Sequence, residues 1–248
     1  MVQENYTPGH SKNAVAFMAT RTFESHCGFF APYIDDSVKV LDVGCGPGSL
    51  TMGIAERAKS VIGVDFGESQ IETARQTAAE SQIAGVEFVT ASCYELPFEN
   101  NSFDRVFSHA LMEHLAEPVD ALREFLRVLK PGGIVGVCSP DFDGRLLAPS
   151  TSELETAADA YANLQASNGG DLRIGKKLGG YLIDAGFVDV QMSARYECYP
   201  QLNFIGEYLA LQLNLANMPD HADCFRRWSK STTGMFAQSW VSAIGVKS

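Results

Sequence analysis

Val38-Lys-Val-Leu-Asp-Val-Gly-Cys-Gly-Pro-Gly-Ser49 is a mostly apolar, β-branched run that ends at Asp42 and Val43 and gives way to glycines at alternate positions, Gly44, Gly46 and Gly48. Such an order reads as a strand, a tight turn and the start of a helix. Glycine lets a turn take φ > 0 and lie flat against a ligand, because no Cβ stands in the way. The free N–H groups and positive dipole end of the helix that follows favour an electron-rich or anionic group. The segment therefore predicts a loop that holds a nucleotide-type cofactor.

Outward from this loop, strands and helices alternate. The strand Val38–Val43 is followed by a helix from about Ser49 to Ala58, a strand Ser60–Val64, a helix Glu68–Ala84 and a strand Val86–Thr90. The turn-rich Leu96-Pro-Phe-Glu-Asn-Asn101 precedes a strand Phe103–Ser108, an amphipathic helix Glu117–Leu129 and a strand Ile134–Cys138. This order implies an α/β fold whose parallel sheet carries helices on both faces. Residues 1–36 read as a helical cap ended by Pro32, and residues 144–170 as a helical insertion. Lys176–Ala185 then reads as a helix, Phe187–Tyr196 as a strand, Leu202–Lys230 as a helical region and Phe236–Val246 as a last strand. We expect one domain over 1–248, divided into the cap (1–36), a cofactor-binding core (37–140) and a substrate-side insertion with the completion of the sheet (141–248).

Composition narrows the function classes. The 248 residues carry a formal charge of −11, which argues against a nucleic-acid backbone as the main partner. Six cysteines show neither a C-x-x-C pair nor a Cys/His cluster, so no metal site and no disulfide framework is expected. There is no membrane-length apolar run, and Met1–Ser11 lacks the basic-then-apolar order of a signal peptide. The expectation is a soluble, cytoplasmic monomer or homodimer.

The second clue to the cofactor is Asp65, at the end of the second strand. An acidic side chain about twenty residues past such a loop can accept both hydrogen bonds of a ribose diol. Loop and Asp65 together specify an adenosine cofactor, and they leave open both a nicotinamide dinucleotide and S-adenosylmethionine. The spacing G-x-G-x-G puts Ser49 where the dinucleotide fingerprint has its third small residue.

Val40-Leu-Asp-Val-Gly-Cys-Gly-Pro-Gly48, Ile62-Gly-Val-Asp65, Leu96-Pro-Phe-Glu-Asn-Asn-Ser-Phe-Asp104 and Leu129-Lys-Pro-Gly-Gly133 resemble, in order, the motifs of class I S-adenosylmethionine-dependent methyltransferases. The resemblance covers residues 38–140 most closely. It extends to Leu182-Ile-Asp-Ala-Gly-Phe187, and Tyr6-Thr-Pro-Gly-His10 with Arg21 and Thr22 is similar to a branch acting on small molecules. It implies a Rossmann-like, mostly parallel seven-stranded sheet with an antiparallel last strand. The implied reaction is methyl transfer from S-adenosylmethionine to O, N or S of a small apolar or aromatic metabolite. A binding module that holds the cofactor without transferring methyl is the other reading.

Position by position, the resemblance puts Gly44, Cys45 and Gly46 beneath the methionine part of the cofactor, Asp65 at the ribose and Phe66 along the adenine. Ser92 and Cys93 fall at the adenine edge, with Ser92 where the family usually has an acid, and Ser108 matches the position whose backbone meets the methionine amino group. Tyr6 and His10 would cap the methionine end and Arg21 would pair with its carboxylate; the other reading has Tyr6 only staple the cap and Arg21 as a surface charge. His109 and His114, after the fourth strand, are candidate bases or substrate ligands, as is His10; each also has a purely structural reading. Asp141 and Phe142, with Asp143, should face the acceptor or else form a polar turn. Tyr181, Tyr196, Tyr199, Phe204 and Tyr208 either wall an aromatic pocket or belong to the core.

Overall fold

The computed structural model describes residues 21–81 and 83–248. Seven strands, β1 (Lys39–Val43), β2 (Ser60–Asp65), β3 (Val86–Thr90), β4 (Phe103–His109), β5 (Leu129–Ala148), β6 (Val188–Cys198) and β7 (Met235–Val246), form one sheet in the order β3-β2-β1-β4-β5-β7-β6. The first five run parallel, and β7 is antiparallel to both of its neighbours. The predicted Rossmann-like sheet with an antiparallel last strand is therefore present. Strand order reverses between β1 and β4, and in open α/β sheets the crevice at that reversal, at the carboxyl ends of the strands, is where ligands bind.

Buried apolar residues explain the layers. Val40, Leu41 and Val43 of β1 are almost fully buried, as expected of a strand covered on both faces. On one face Phe23, Cys27 and Phe30 pack with Val38, Val40, Leu50, Ile54 and Phe107. Phe23 belongs to the short helix α1 (Phe23–His26), which Thr22 caps through its hydroxyl. On the other face α4 (Pro118–Val128) sets Leu122, Phe125 and Val128 against Val106, Val135 and Leu182. Helices α2 (Ser49–Ala55) and α3 (Glu68–Ser81) flank β2, each shorter than the sequence predicts. Only residues 21–36 of the predicted cap fall within the description. Pro32 lies in a 3-10 turn, Ala31–Tyr33.

The largest difference lies beyond Cys138. Pro140, Asp141, Asp143 and Gly144 look like turn residues, yet β5 continues to Ala148 because β7 pairs with it along its length, past a register shift between Asp141 and Leu146. The helical part of the insertion is thus confined to α5 (Ser152–Ser167), capped by the Thr151 hydroxyl accepting from Leu154 N–H. Next come a 3-10 turn at Gly175–Lys177 and α6 (Leu178–Ala185). The predicted helical region 202–230 is two helices, α7 (Leu202–Leu215) and α8 (Pro219–Trp228), separated at Asn217, whose φ is 59°, with Pro219 opening the second. With α5 they build a second apolar cluster that includes Phe142, Tyr161, Leu209, Phe225 and Phe236.

Candidate active site

At the carboxyl edge of the sheet lies a cavity of about 940 Å³, within the size range of small-ligand sites. The glycine loop, the end of β2 and residues 91–94 line one side; the extension of β5, with α5, α7 and β7, lines the other.

The loop has the backbone its glycines predict, with φ of 77° at Gly44, 53° at Gly46 and 83° at Gly48. Val64 C=O accepts from the N–H of Gly44 (2.8 Å) and of Cys45 (3.0 Å), which pins the turn to β2. The Asp65 carboxylate accepts from Gly46 N–H through Oδ2 (2.9 Å) and from Gly67 N–H through Oδ1 (2.8 Å). A carboxylate has about four acceptor sites, so capacity for two more donors remains, as a ribose diol requires. Phe66, beside it, is 83% exposed on the cavity. Carboxylate, open aromatic face and glycine-rich loop together fit the adenosine part of a cofactor. Cys45, Ser92 and Cys93 also line the cavity. The Ser92 hydroxyl accepts from Tyr94 N–H (3.2 Å). Beneath the loop Asp42 accepts from the Thr51 hydroxyl (2.7 Å), and burial pushes its carboxyl up to about 7.

Two predicted positions fall elsewhere. Ser108 is 1% exposed and does not line the cavity; its hydroxyl donates to Val43 C=O (2.8 Å) beneath it. Pairing of β4 runs one residue further, to His109, and Ala110 then turns the chain with φ of 57°, so His109, Ala110 and Leu111 line the cavity instead. Asp141 is likewise absent from the lining. Its carboxylate accepts from Lys176 N–H (3.0 Å) and Asp143 N–H (3.2 Å), while Phe142 faces the cavity. Strand alternation makes one of two successive residues point inward, never both. Asp143 pairs with Arg173 and Lys176 at the surface, from the extended strand and not from a turn.

Of the candidate catalytic residues, His109 is 5% exposed. Its ring lies 4.6 Å from that of Trp240, tilted by 34°, and 5.0 Å edge-on from His26. His114 is held differently: its Nδ1 is 2.7 Å from Gln165 Nε2, and burial holds its pKa down at about 3. Glu113, between them, accepts from the Ser139 hydroxyl (2.8 Å), and burial pushes its carboxyl up to about 7. Arg21 lines the cavity with its guanidinium carbon 5.4 Å from the Trp240 ring centre. Tyr6 and His10 lie outside the described residues.

Of the five aromatic candidates, Tyr199 and Tyr208 line the cavity, whereas Tyr181 and Phe204 pack against the core clusters and Tyr196 is exposed. Tyr161, Gln165, Gln238 and Trp240 line it too and were not anticipated. One signal was available: Leu154, Ala157, Tyr161 and Gln165 share a face of α5 at helical spacing, and Gln165 is the polar residue on that apolar stripe.

The sequence matches the methyltransferase domain family over residues 34–186. The chain belongs to the methyltransferase family. Over 191 residues this methyltransferase is 32% identical to an uncharacterized methyltransferase of Schizosaccharomyces pombe, covering 73% of the present chain and 68% of that one. It is 34% identical over 142 residues to a demethylmenaquinone methyltransferase of Clavibacter sepedonicus, covering 52% of this chain and 57% of that one, so it spans little more than half of that relative's length. Its fold is similar to that of Haemonchus contortus phosphoethanolamine N-methyltransferase 2, solved with S-adenosyl-L-methionine, with a TM-score of 0.59 and 21% identity over 86% of this chain and 49% of that one.

Proposed function

We propose that the chain transfers a methyl group from S-adenosylmethionine to an O, N or S atom of a small apolar or aromatic metabolite. The observation that carries this reading is the Asp65 carboxylate, fixed by Gly46 and Gly67 N–H beside the glycine loop and keeping acceptor capacity toward the cavity. When bound, S-adenosylmethionine supplies an electrophilic methyl on a positively charged sulfur.

The chain's own part is to bind, align and exclude water. Asp65 would hold the ribose hydroxyls and Phe66 would cover an adenine face. Gly44 and Cys45 would present backbone to the methionine end, Tyr6 and His10 would cap it, and Arg21 would pair with its carboxylate. Displacement at a methyl carbon is in line, so holding the acceptor on that line with water expelled supplies much of the acceleration. The aromatic wall of Phe142, Tyr161, Tyr208, Phe236 and Trp240 favours an apolar, planar acceptor. A proton acceptor is needed as well when the attacking atom still carries its hydrogen.

We further propose that residues 1–248 work as one domain in the cytoplasm. Among the described residues no helix is long and apolar enough to cross a membrane. The test has two parts. Calorimetry should show S-adenosylhomocysteine binding far more tightly than NAD; the reverse order would overturn the cofactor assignment. Incubation with methyl-labelled S-adenosylmethionine and a metabolite extract should then put label into a small product, and no transfer across a broad extract would overturn the activity.

A further inference from the structure

Several side chains on the cavity wall hold buried polar atoms without a hydrogen-bond partner among the described residues, and two of them bear on the acceptor. They are His109, at both Nδ1 and Nε2, and Gln165, at Oε1. Buried polar atoms in folded proteins are nearly always paired, so an orphan on a residue of a cavity wall marks a group that a ligand, reaching it by a small shift of the wall, would complete. His109 cannot be excused as a loosely held ring. Trp240 stacks on it and His26 meets it edge-on, which fixes the imidazole in place.

His114 does not compete for the same role. Gln165 Nε2 donates to Glu113 C=O (2.9 Å), which settles the orientation of the amide, and the same nitrogen is 2.7 Å from His114 Nδ1. An amide nitrogen only donates. His114 Nδ1 therefore accepts, and the neutral ring carries its hydrogen on Nε2, which lies 3.9 Å from Glu113 Oε1. Its lone pair is already engaged.

We propose that His109 is the catalytic residue that touches the reacting group of the acceptor, and that this group is a phenolic hydroxyl, or one of similar acidity, on an aromatic ring. The inference rests on the methyltransferase reading above and names the acceptor class for it. Burial, reinforced by Arg21 before α1, His26 of α1 and Arg195 of β6, holds the His109 pKa well below the ordinary histidine range. Also nearby are Glu113, Tyr199 and Glu197, the last paired with His26 at 3.1 Å. The imidazole thus stays neutral, and able to accept, throughout neutral pH. A base this weak cannot draw a proton from an aliphatic alcohol, but it can share that of a phenol, whose O–H is far more acidic. The cations of Arg21 and Arg195 also oppose an ammonium-bearing acceptor.

The step balances as follows. The phenol oxygen forms its bond to the methyl carbon as the carbon–sulfur bond breaks, leaving that pair on sulfur. The O–H pair stays on oxygen, and the proton passes to His109 and then to solvent.

The test is calorimetry on the full chain saturated with S-adenosylhomocysteine, titrated at neutral pH with phenol, which keeps its proton there, and with its methyl ether anisole, which has no O–H. Wild type should prefer the phenol by about tenfold, the scale of one hydrogen bond to a buried partner. His109→Phe keeps the stacked ring without nitrogens and should lose that preference, whereas His109→Gln should keep part of it. Both variants should bind S-adenosylhomocysteine like the wild type. A wild type without preference for the phenol, or a His109→Phe variant that retains it, overturns the assignment. Failure of the wild type to bind S-adenosylhomocysteine would instead strike the methyltransferase reading beneath it.

Discussion

Asp65→Ala removes a carboxylate with two jobs. Within the protein it ties Gly46 N–H (2.9 Å) to Gly67 N–H (2.8 Å) across the mouth of the loop. Toward the cavity its remaining acceptor sites are assigned to the ribose diol. Hydrogen bonds to a charged group contribute about 1.5–3 kcal/mol, so affinity for S-adenosylhomocysteine should fall by roughly ten- to a hundredfold. Asp65→Asn keeps the shape but turns one oxygen into a donor, which must face one of the two backbone N–H groups or the ribose; it should not restore binding. Calorimetry with S-adenosylhomocysteine and its 2′-deoxy analogue separates the two jobs. The analogue should bind wild type more weakly than the parent, and both should bind Asp65→Ala alike, because the missing contact is the same one. Equal affinity of wild type and Asp65→Ala for the parent ligand refutes the ribose role. A persisting gap between the two ligands in the variant assigns the hydroxyl to another residue.

Two further outcomes test the ground beneath the site. Burial raises the Asp42 carboxyl to about 7, against about 3.9 in an unfolded chain. Between those values the folded state holds a proton that the unfolded state has lost, so this group's contribution to stability falls as pH rises from about 4 to 7. Asp42→Asn still accepts from Thr51 and removes that slope, so its unfolding temperature should exceed that of wild type at pH 8 and converge on it near pH 4; a constant offset across that range would count against the buried titration. Gly48→Ala would force a non-glycine residue to φ of 83° and bring its Cβ to 2.9 Å from Phe88 Cζ and 3.0 Å from Ala74 Cβ. Strain and crowding together should cost about 1–3 kcal/mol, lowering the thermal midpoint by several degrees, and an unchanged midpoint would show that the loop can relax.

The cofactor side of the cavity was legible because its determinants are local. Three glycines and an acid at a strand end need only their own neighbours to take their shape, and Gly44, Gly46, Asp65 and Phe66 all line the cavity. Ser108, which was also read as a cofactor contact, and the acceptor side depend on pairings distant in sequence. Whether Ser108 or His109 reaches the cavity turns on where β4 stops pairing with β5, and the inward turn of Phe142 follows from a strand that only β7, about a hundred residues later, extends past Pro140. Gln165 and Trp240 come from two further elements. Their meeting with His109 and His114 could not be read from periodicity, which says that a residue is buried without saying beside what.

The extension of β5 also sets how this wall can change. From Ser139 onward the strand has left β4 and forms the edge of a three-stranded ribbon with β7 and β6, with Phe142 directed inward while Asp141 is held by Lys176 N–H. Insertion or loss of a single residue between Pro140 and Gly144 would exchange those faces, turning a carboxylate toward the acceptor and an aromatic ring toward the 3-10 turn. Such a change would rewrite the chemistry of the wall without altering its composition. Substitution at position 142 tunes the wall by degrees, but a frame slip of the ribbon reverses its polarity at once.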